Sequence, residues 1–124
     1  MTEETQQHFQ KAAECVEDSQ ILLDNRRAAA AVTRAYYAMF HAATAALAVK
    51  GIKRSSHHGV LSAFGEFLVK PGLIDHVFHL SLRKAFELRQ QTDYEPIADV
   101  DIEQAQEILN KAIDFVDACR RLCP

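Results

Sequence analysis

Residues 27–50 read RAAAAVTRAYYAMFHAATAALAVK, and this stretch decides the fold class. Alanine is the best helix former, and no glycine or proline interrupts the segment. Small apolar side chains lie on every face of such a helix, which is typical of a helix buried among neighbours rather than lying on a surface. Gly51 follows the segment, and glycine favours a helix end because it adopts the left-handed turn readily.

The remainder of the chain also has the pattern of helices. Apolar residues recur at three- and four-residue spacing, and no stretch alternates as a strand does. The pattern predicts further helices at residues 5–23, 56–69, 74–91 and 101–122. Ser56 and Asp101 are predicted N-caps, and Pro96 is predicted to hold the loop at 92–96 extended. We therefore expect an all-α, five-helix, up-and-down antiparallel bundle, formed by a single domain over residues 1–124.

Composition and charge exclude several classes of protein. Hydrophobic residues make up 48% and charged residues 25% of the 124 residues, as in a chain with a packed core. The net charge is −3, whereas proteins that coat duplex DNA are usually basic, so we expect no duplex-DNA binding. No apolar run is long enough for a membrane span, and the polar, acidic residues 1–10 do not resemble a secretory signal. We therefore expect a cytoplasmic protein without membrane contact.

The cysteine content argues against both a disulfide framework and a metal site. Cys15, Cys119 and Cys123 are few and odd in number, which is typical of a reducing compartment. Cys119 and Cys123 are four residues apart, but no second pair with ligand spacing accompanies them. No phosphate-binding loop or dinucleotide motif occurs either. We expect no metal and no cofactor.

Three polar residues stand out on the second helix: Arg34, Tyr37 and His41. Their spacings of three, four and seven residues place them on one face over two turns. A guanidinium, a phenol and an imidazole on one stripe suit a phosphate or a base. The same residues are also compatible with a packed tyrosine beside charged side chains on an ordinary exposed face.

Two further polar groups lie near helix ends. Ser56-His57-His58-Gly59 stands at a predicted helix start, where backbone amides attract anions; the alternative is a cap followed by surface histidines. Arg89 and Asp93 have the spacing of an i,i+4 ion pair. Tyr94 follows them, either as a ligand contact or as a side chain that fastens the next loop to the bundle.

Residues 34–43, RAYYAMFHAA, resemble the second-helix signature of the HEPN family. Residues 56–60, SHHGV, and 89–94, RQQTDY, resemble two further segments of that family, in the same order. The resemblance implies a helical bundle that usually forms a homodimer and acts on RNA or nucleotides. Many members of the family are RNA-cleaving toxins, and many are encoded beside a minimal nucleotidyltransferase that acts as partner or antitoxin.

The family's catalytic signature is not fully present in this chain. It consists of an arginine that holds the scissile phosphate and, after four to six residues, a histidine that moves protons at the 2′-hydroxyl without a metal. Arg89 is followed by Tyr94 instead, and a phenol with a pKa of about 10 is a weak base at neutral pH. Arg34 and His41 match the spacing, but eight arginines and six histidines give about one such match by chance.

These observations lead to three hypotheses. The first is a non-catalytic or weakly catalytic HEPN module that binds a nucleotide or RNA and partners a minimal nucleotidyltransferase in a toxin–antitoxin-like pair. Its candidate binding residues are Arg34, Tyr37, His41, His57, Arg89, Asp93 and Tyr94. The second is a metal-independent ribonuclease toxin, whose catalytic candidates are Arg34, His41 and Arg89, with His57 as another histidine for Arg89. The third is a helical dimerisation module without a ligand.

Overall fold

The described part of the chain is almost entirely helical. A computed structural model describes residues 1–95 and 99–124, which form five α-helices and no strand. The helices are α1 (Glu3–Asp24), α2 (Ala28–Val49), α3 (His57–Phe64), α4 (His76–Tyr94) and α5 (Ile102–Arg121). The predicted all-α, five-helix fold is confirmed. None of the helices in these residues has both the length and the apolar character needed to cross a membrane.

Side-chain caps fix where most of the helices begin. The N-cap residues whose side-chain oxygen accepts a backbone N–H are Thr2, Ser56, Asp75 and Asp101. At α5 the cap is reciprocal, because the Gln104 N–H donates to Asp101 while the Asp101 N–H donates to the Gln104 side chain. The caps predicted at Ser56 and Asp101 are therefore confirmed.

Helix α2 lies at the centre of the bundle, as its alanines predict. It contacts α1, α3, α4 and α5, and half of its residues are buried. The small side chains allow α1 to approach closely, since the buried Ser19 hydroxyl donates a hydrogen bond of 2.8 Å to the Ala31 carbonyl. A buried hydroxyl needs such a partner, so this bond helps to fix the position of α1 on α2. Helix α2 ends before Gly51, whose φ of 75° is the left-handed turn expected there.

Contacts across two helix seams show that α1 is antiparallel to both α2 and α5. Ser19 meets Ala31 near one end of the α1–α2 seam, and His8 meets His41 toward the other. At the α1–α5 seam, Arg120 near the end of α5 donates to the Phe9 carbonyl near the start of α1. The middle of α2 packs beside the start of α3, where Tyr36 meets His57, and beside the later part of α4, where Tyr37 meets Arg89.

The third helix differs from the continuous helix predicted for residues 56–69. The α-helical part ends at Phe64, and Gly65–Val69 forms a π-helical segment in which the Lys70 N–H donates to the Gly65 carbonyl. Gly65 lies against the ring of His79, where a β-carbon would stand 2.8 Å from His79 Cε1. The absence of a side chain at Gly65 thus allows α4 to pack closely onto this segment.

Helix α4 is longer than predicted at its end. The expected loop at 92–96 is wrong for its first three residues, because the helix continues through Tyr94. Glu95 has φ −98° and ψ 124°, the extended geometry that the residue before a proline prefers. Proline restricts only its predecessor, so the helix persists to within two residues of Pro96. Pro96 itself lies outside the described residues.

Candidate functional site

Two arginines from different helices meet at the ring of Tyr37. The Cζ atoms of Arg34 and Arg89 lie 5.5 Å and 5.4 Å from the ring centroid. Arg34 precedes Tyr37 by about one turn on α2, whereas Arg89 reaches the ring from α4. A guanidinium at this distance is attracted by the electron-rich face of the ring. The packing of α4 against α2 therefore brings three of the predicted site residues together.

The polar atoms of the two arginines are only partly satisfied. Arg89 Nη2 donates a hydrogen bond of 3.2 Å to the Tyr37 hydroxyl, and Arg34 Nη2 lies 2.9 Å from the sulfur of Cys15. The Nε atoms of Arg34 and Arg89 are buried and have no hydrogen-bond partner among the described residues. Buried donors without an acceptor are costly, and an anion such as phosphate would satisfy them with charge-assisted hydrogen bonds.

Asp93 forms the ion pair predicted with Arg89. Its Oδ2 atom lies 3.0 Å from Arg89 Nε, so the i,i+4 pair is confirmed. The carboxylate lies off the direction of the N–H bond, which is why Nε has a close counter-charge but no aligned hydrogen bond. The Asp93 side chain is 41% exposed, against 19% for Arg89, so the carboxylate occupies the solvent side of the guanidinium. A phosphate that approached Arg89 from solvent would compete with it.

His57 adds an imidazole to the same region. Its Nδ1 atom lies 2.6 Å from the Tyr36 hydroxyl, and its ring centroid lies 4.6 Å from that of Phe40. Burial, and next the positive charge of Arg89, lower the pKa of His57. The ring is therefore neutral at neutral pH and keeps one nitrogen, Nε2, without a partner among the described residues. When Nδ1–H donates to the Tyr36 hydroxyl, the neutral imidazole can accept a proton at Nε2.

Tyr36 belongs to the site, although the helical spacing of the polar residues does not indicate it. It is fully buried, and burial raises its pKa, so it remains a neutral phenol. It orients His57 and lies 5.7 Å below the Arg89 guanidinium, measured from Cζ to the ring centroid. Consecutive residues on a helix point about 100° apart, so a stripe drawn through Tyr37 leaves Tyr36 out. The sequence feature that points to Tyr36 is its position next to Tyr37.

His41 points toward α1 instead of toward Arg89. Its Nδ1 atom lies 3.0 Å from Nδ1 of His8, and the two ring centroids are 5.3 Å apart. Burial lowers the pKa of His41 to about 4, with smaller contributions from the charges of His8, Lys11 and Arg34. His41 shares the stripe of Arg34 as predicted, but its hydrogen-bond partner belongs to the α1–α2 seam.

Tyr94 does not fasten the loop to the bundle. It is the last residue of α4 and is 82% exposed, so the structural role considered for it is wrong. The Tyr94 side chain therefore extends into solvent. In the sequence it directly follows Asp93.

The cysteines and histidines do not assemble into a metal site in the part of the chain that is described. No group of three or more His, Cys, Asp or Glu side chains is placed there to hold an ion. Cys15 and Cys119 are buried free thiols, and burial raises the pKa of Cys119. A thiol in this state is a poor nucleophile and a poor ligand.

Comparison with known protein families shows which proteins this chain is related to. Residues 5–122 match the model of the HEPN domain. The chain belongs to the HEPN family. It is 37% identical to a UPF0332 protein of Thermotoga maritima, over 90% of this chain and 85% of that protein. It is also 34% identical to a candidate toxin of Methanocaldococcus jannaschii, over 96% of this chain and 88% of that protein.

The HEPN match extends the resemblance from three short segments to almost the whole chain. Those segments, residues 34–43, 56–60 and 89–94, are the ones that supply the arginines, the tyrosines and His57 of the site. They lie on α2, α3 and α4, and only the packing of these helices brings them together. The candidate site of this HEPN protein is thus a product of the fold rather than of one local motif.

Proposed function

We propose that this protein is a toxin-like HEPN module that binds the phosphate backbone of RNA. The binding site, called the Tyr37 site below, consists of Arg34, Tyr36, Tyr37, His57 and Arg89. The observation that carries the proposal is the meeting of Arg34 and Arg89 at one ring, each with a buried Nε that lacks a hydrogen-bond partner among the described residues. Two fixed guanidinium groups suit a phosphate, because each presents several donors in a planar fork. The relative of M. jannaschii named as a candidate toxin supports the toxin-like part of the proposal.

The proposal is tested by binding of a fluorescently labelled uridine heptamer, followed by anisotropy. We expect Arg34→Ala and Arg89→Ala each to weaken binding by about tenfold, the loss of roughly one charge-assisted hydrogen bond. Arg121→Ala is the matched control, because Arg121 forms an i,i+4 pair with Asp117 just as Arg89 does with Asp93. Equal affinity in the wild type and both site variants would overturn the proposal.

A second candidate function is metal-independent cleavage of RNA, and the position of His57 favours it. The chain has no histidine shortly after Arg89, but His57 and Arg89 both contact Tyr36, His57 at its hydroxyl and Arg89 at its ring. In such a reaction a neutral imidazole takes the 2′-hydroxyl proton, and the 2′-oxygen attacks the phosphorus. The bond from phosphorus to the 5′-oxygen then breaks, leaving a 2′,3′-cyclic phosphate, and the 5′-oxygen takes a proton from water and leaves as a hydroxyl.

One variant, His57→Ala, distinguishes RNA cleavage from RNA binding. His57→Ala should abolish any cyclic-phosphate product while the uridine heptamer still binds, since Arg34 and Arg89 remain. Growth arrest on expression that disappears in His57→Ala would support the ribonuclease. Product that persists in His57→Ala would exclude His57 as the base.

The proposal includes a homodimer and a minimal nucleotidyltransferase as partners. Exposed apolar side chains just before and at the start of α4 support an interface there, since Leu73, Val77 and Leu80 are 43%, 53% and 48% exposed. We expect Val77→Glu to yield a monomer by light scattering, whereas Ile113→Glu, at an equally exposed position on α5, should not. Co-purification with a nucleotidyltransferase encoded beside the gene tests the second partner.

A further inference from the structure

A groove of about 380 Å³ lies between α3 and α4, next to the Tyr37 site. Besides His79, its polar lining comprises His58 and Ser62 from α3, and Arg83, Glu87 and Gln90 from α4. Within residues 1–95 and 99–124, none of these five side chains has a hydrogen-bond or ion-pair partner. The groove therefore offers donors and acceptors that the fold does not use.

One wall of the groove is aromatic. The rings of His58 and Phe86 lie 5.2 Å apart at an angle of 76°, and His58 is the exposed member of the pair. His79 also lines the groove and is held by a hydrogen bond of 3.1 Å between its Nε2 atom and the Leu61 carbonyl. Every nucleobase has a flat face that can stack on such rings, so the wall suits a base from a single strand.

The groove and the Tyr37 site share one side chain. Phe86 faces His58 in the groove and also stacks on His57, with ring centroids 6.0 Å apart. On α4, Gln90 lines the groove and the residue before it, Arg89, belongs to the Tyr37 site. A single RNA strand can therefore place a base in the groove and a neighbouring phosphate at Arg89.

The charges in the groove fit a base better than a backbone. Glu87 would repel a phosphate, but a carboxylate readily accepts hydrogen bonds from the N–H groups of a base. Guanine presents its N1–H and N2–H donors on one edge and its O6 and N7 acceptors on the adjacent edge, and arginine pairs well with the latter. Glu87 and Arg83 lie one helical turn apart and supply both kinds of partner. Adenine has a donor where guanine has O6, so it does not match Arg83.

We propose that the groove between α3 and α4 binds a guanine base of single-stranded RNA beside the phosphate held by Arg34 and Arg89. Glu87 accepts hydrogen bonds from the Watson–Crick edge of the base, Arg83 donates to O6 and N7, and His58 stacks on its face. This assignment rests on the proposed RNA-binding function and adds the base that the protein prefers.

The test compares three labelled heptamers by anisotropy: UUUGUUU, UUUAUUU and UUUUUUU. The wild-type protein should bind the guanine-containing heptamer about tenfold more tightly than the other two. Glu87→Gln should remove this preference, so that the variant binds all three heptamers within about twofold of one another. Glu103→Gln, at an exposed position on α5, should keep the preference and serves as the matched control.

The three heptamers distinguish failure of the groove assignment from failure of the proposed function. Equal binding of all three by the wild type would overturn the guanine site and leave RNA binding standing. A guanine preference that survives Glu87→Gln would also overturn it. If the wild type binds none of them, both proposals fall. The thermal midpoint of Glu87→Gln should match that of the wild type, since Glu87 is exposed and has no ion-pair partner among the described residues.

Discussion

Arg89 and Tyr37, 52 positions apart in the chain, are joined by a hydrogen bond of 3.2 Å from the guanidinium to the phenol. The bond connects α4 to the central helix α2 at the point where the candidate site lies. Tyr37→Phe keeps the ring for both arginines and removes only the hydroxyl. We expect the free energy of unfolding in urea to fall by about 1.5 kcal/mol, the lower end of the usual contribution of one hydrogen bond to a charged group.

The chain provides a control for this change. Tyr94 is 82% exposed, so Tyr94→Phe should leave the free energy of unfolding unchanged. Equal stability of the two variants would show that the contact between Arg89 and Tyr37 contributes nothing to the packing of α4.

Because Asp93 forms an ion pair with Arg89, we expect mutation of Asp93 to increase the affinity for RNA. Asp93→Asn removes the carboxylate that occupies the solvent side of Arg89, so the guanidinium becomes available to phosphate. We expect binding of the uridine heptamer to tighten by about threefold at low salt, since a nearby negative charge no longer repels the backbone. Stability should change by less than about 0.5 kcal/mol, because partly exposed i,i+4 pairs contribute little.

Asp117→Asn is the matched control, since Asp117 pairs with Arg121 on α5 at the same spacing. Its affinity should be that of the wild type. If Asp93→Asn instead weakens binding, Asp93 acts by positioning Arg89 rather than by competing with phosphate.

The sequence predicts the helices well because their signals are local. The alanines of α2 and the caps at Ser56 and Asp101 act within a few residues of themselves. The π-helical segment after Phe64 could not be predicted in this way, because it is accompanied by the packing of His79 from another helix against Gly65. The end of α4 was placed too early, because a proline restricts only the residue before it.

The site was predicted less completely, since it depends on which side chains meet across helices. Helical spacing puts Arg34, Tyr37 and His41 on one stripe, yet His8 on α1 pairs with His41 at one end of it. The spacing also gives no sign that the buried Tyr36 orients His57, because that pairing joins α2 to α3. Periodicity identifies faces of helices, whereas partners across a seam follow from tertiary packing.

His41 makes the stability of the protein depend on pH. Its pKa is lowered from 6.5 to about 4 in the folded state, so the unfolded chain binds more protons between these values. The contribution to stability is complete above pH 6.5 and is lost as the pH falls toward 4. At pH 5 we expect a loss of about 1 kcal/mol relative to pH 7 from this residue, after allowing for the screening of a partly exposed group by solvent.

Urea unfolding at pH 7 and pH 5 measures this effect. His41→Gln should show a smaller loss between the two pH values than the wild type, whereas the exposed His76→Gln should behave as the wild type does. Equal losses in His41→Gln and the wild type would place the pH dependence elsewhere, for example at His57 or His79, whose pKa values burial also lowers.

The contact between Gly65 and His79 predicts a substitution whose effect depends on its background. In Gly65→Ala the new β-carbon would lie 2.8 Å from His79 Cε1, so the imidazole must move and its hydrogen bond to the Leu61 carbonyl is lost. We expect a loss of about 2 kcal/mol in the free energy of unfolding, as for other overpacked sites. With His79→Ala as the background the obstacle is gone, and the same substitution should cost nothing or stabilise by up to about 1 kcal/mol, because alanine favours a helix over glycine. The free energies of unfolding of the four proteins in this double-mutant cycle are measured in urea. If Gly65→Ala lowers the free energy of unfolding equally in both backgrounds, the glycine is needed for the π-helical backbone itself rather than to make room for His79.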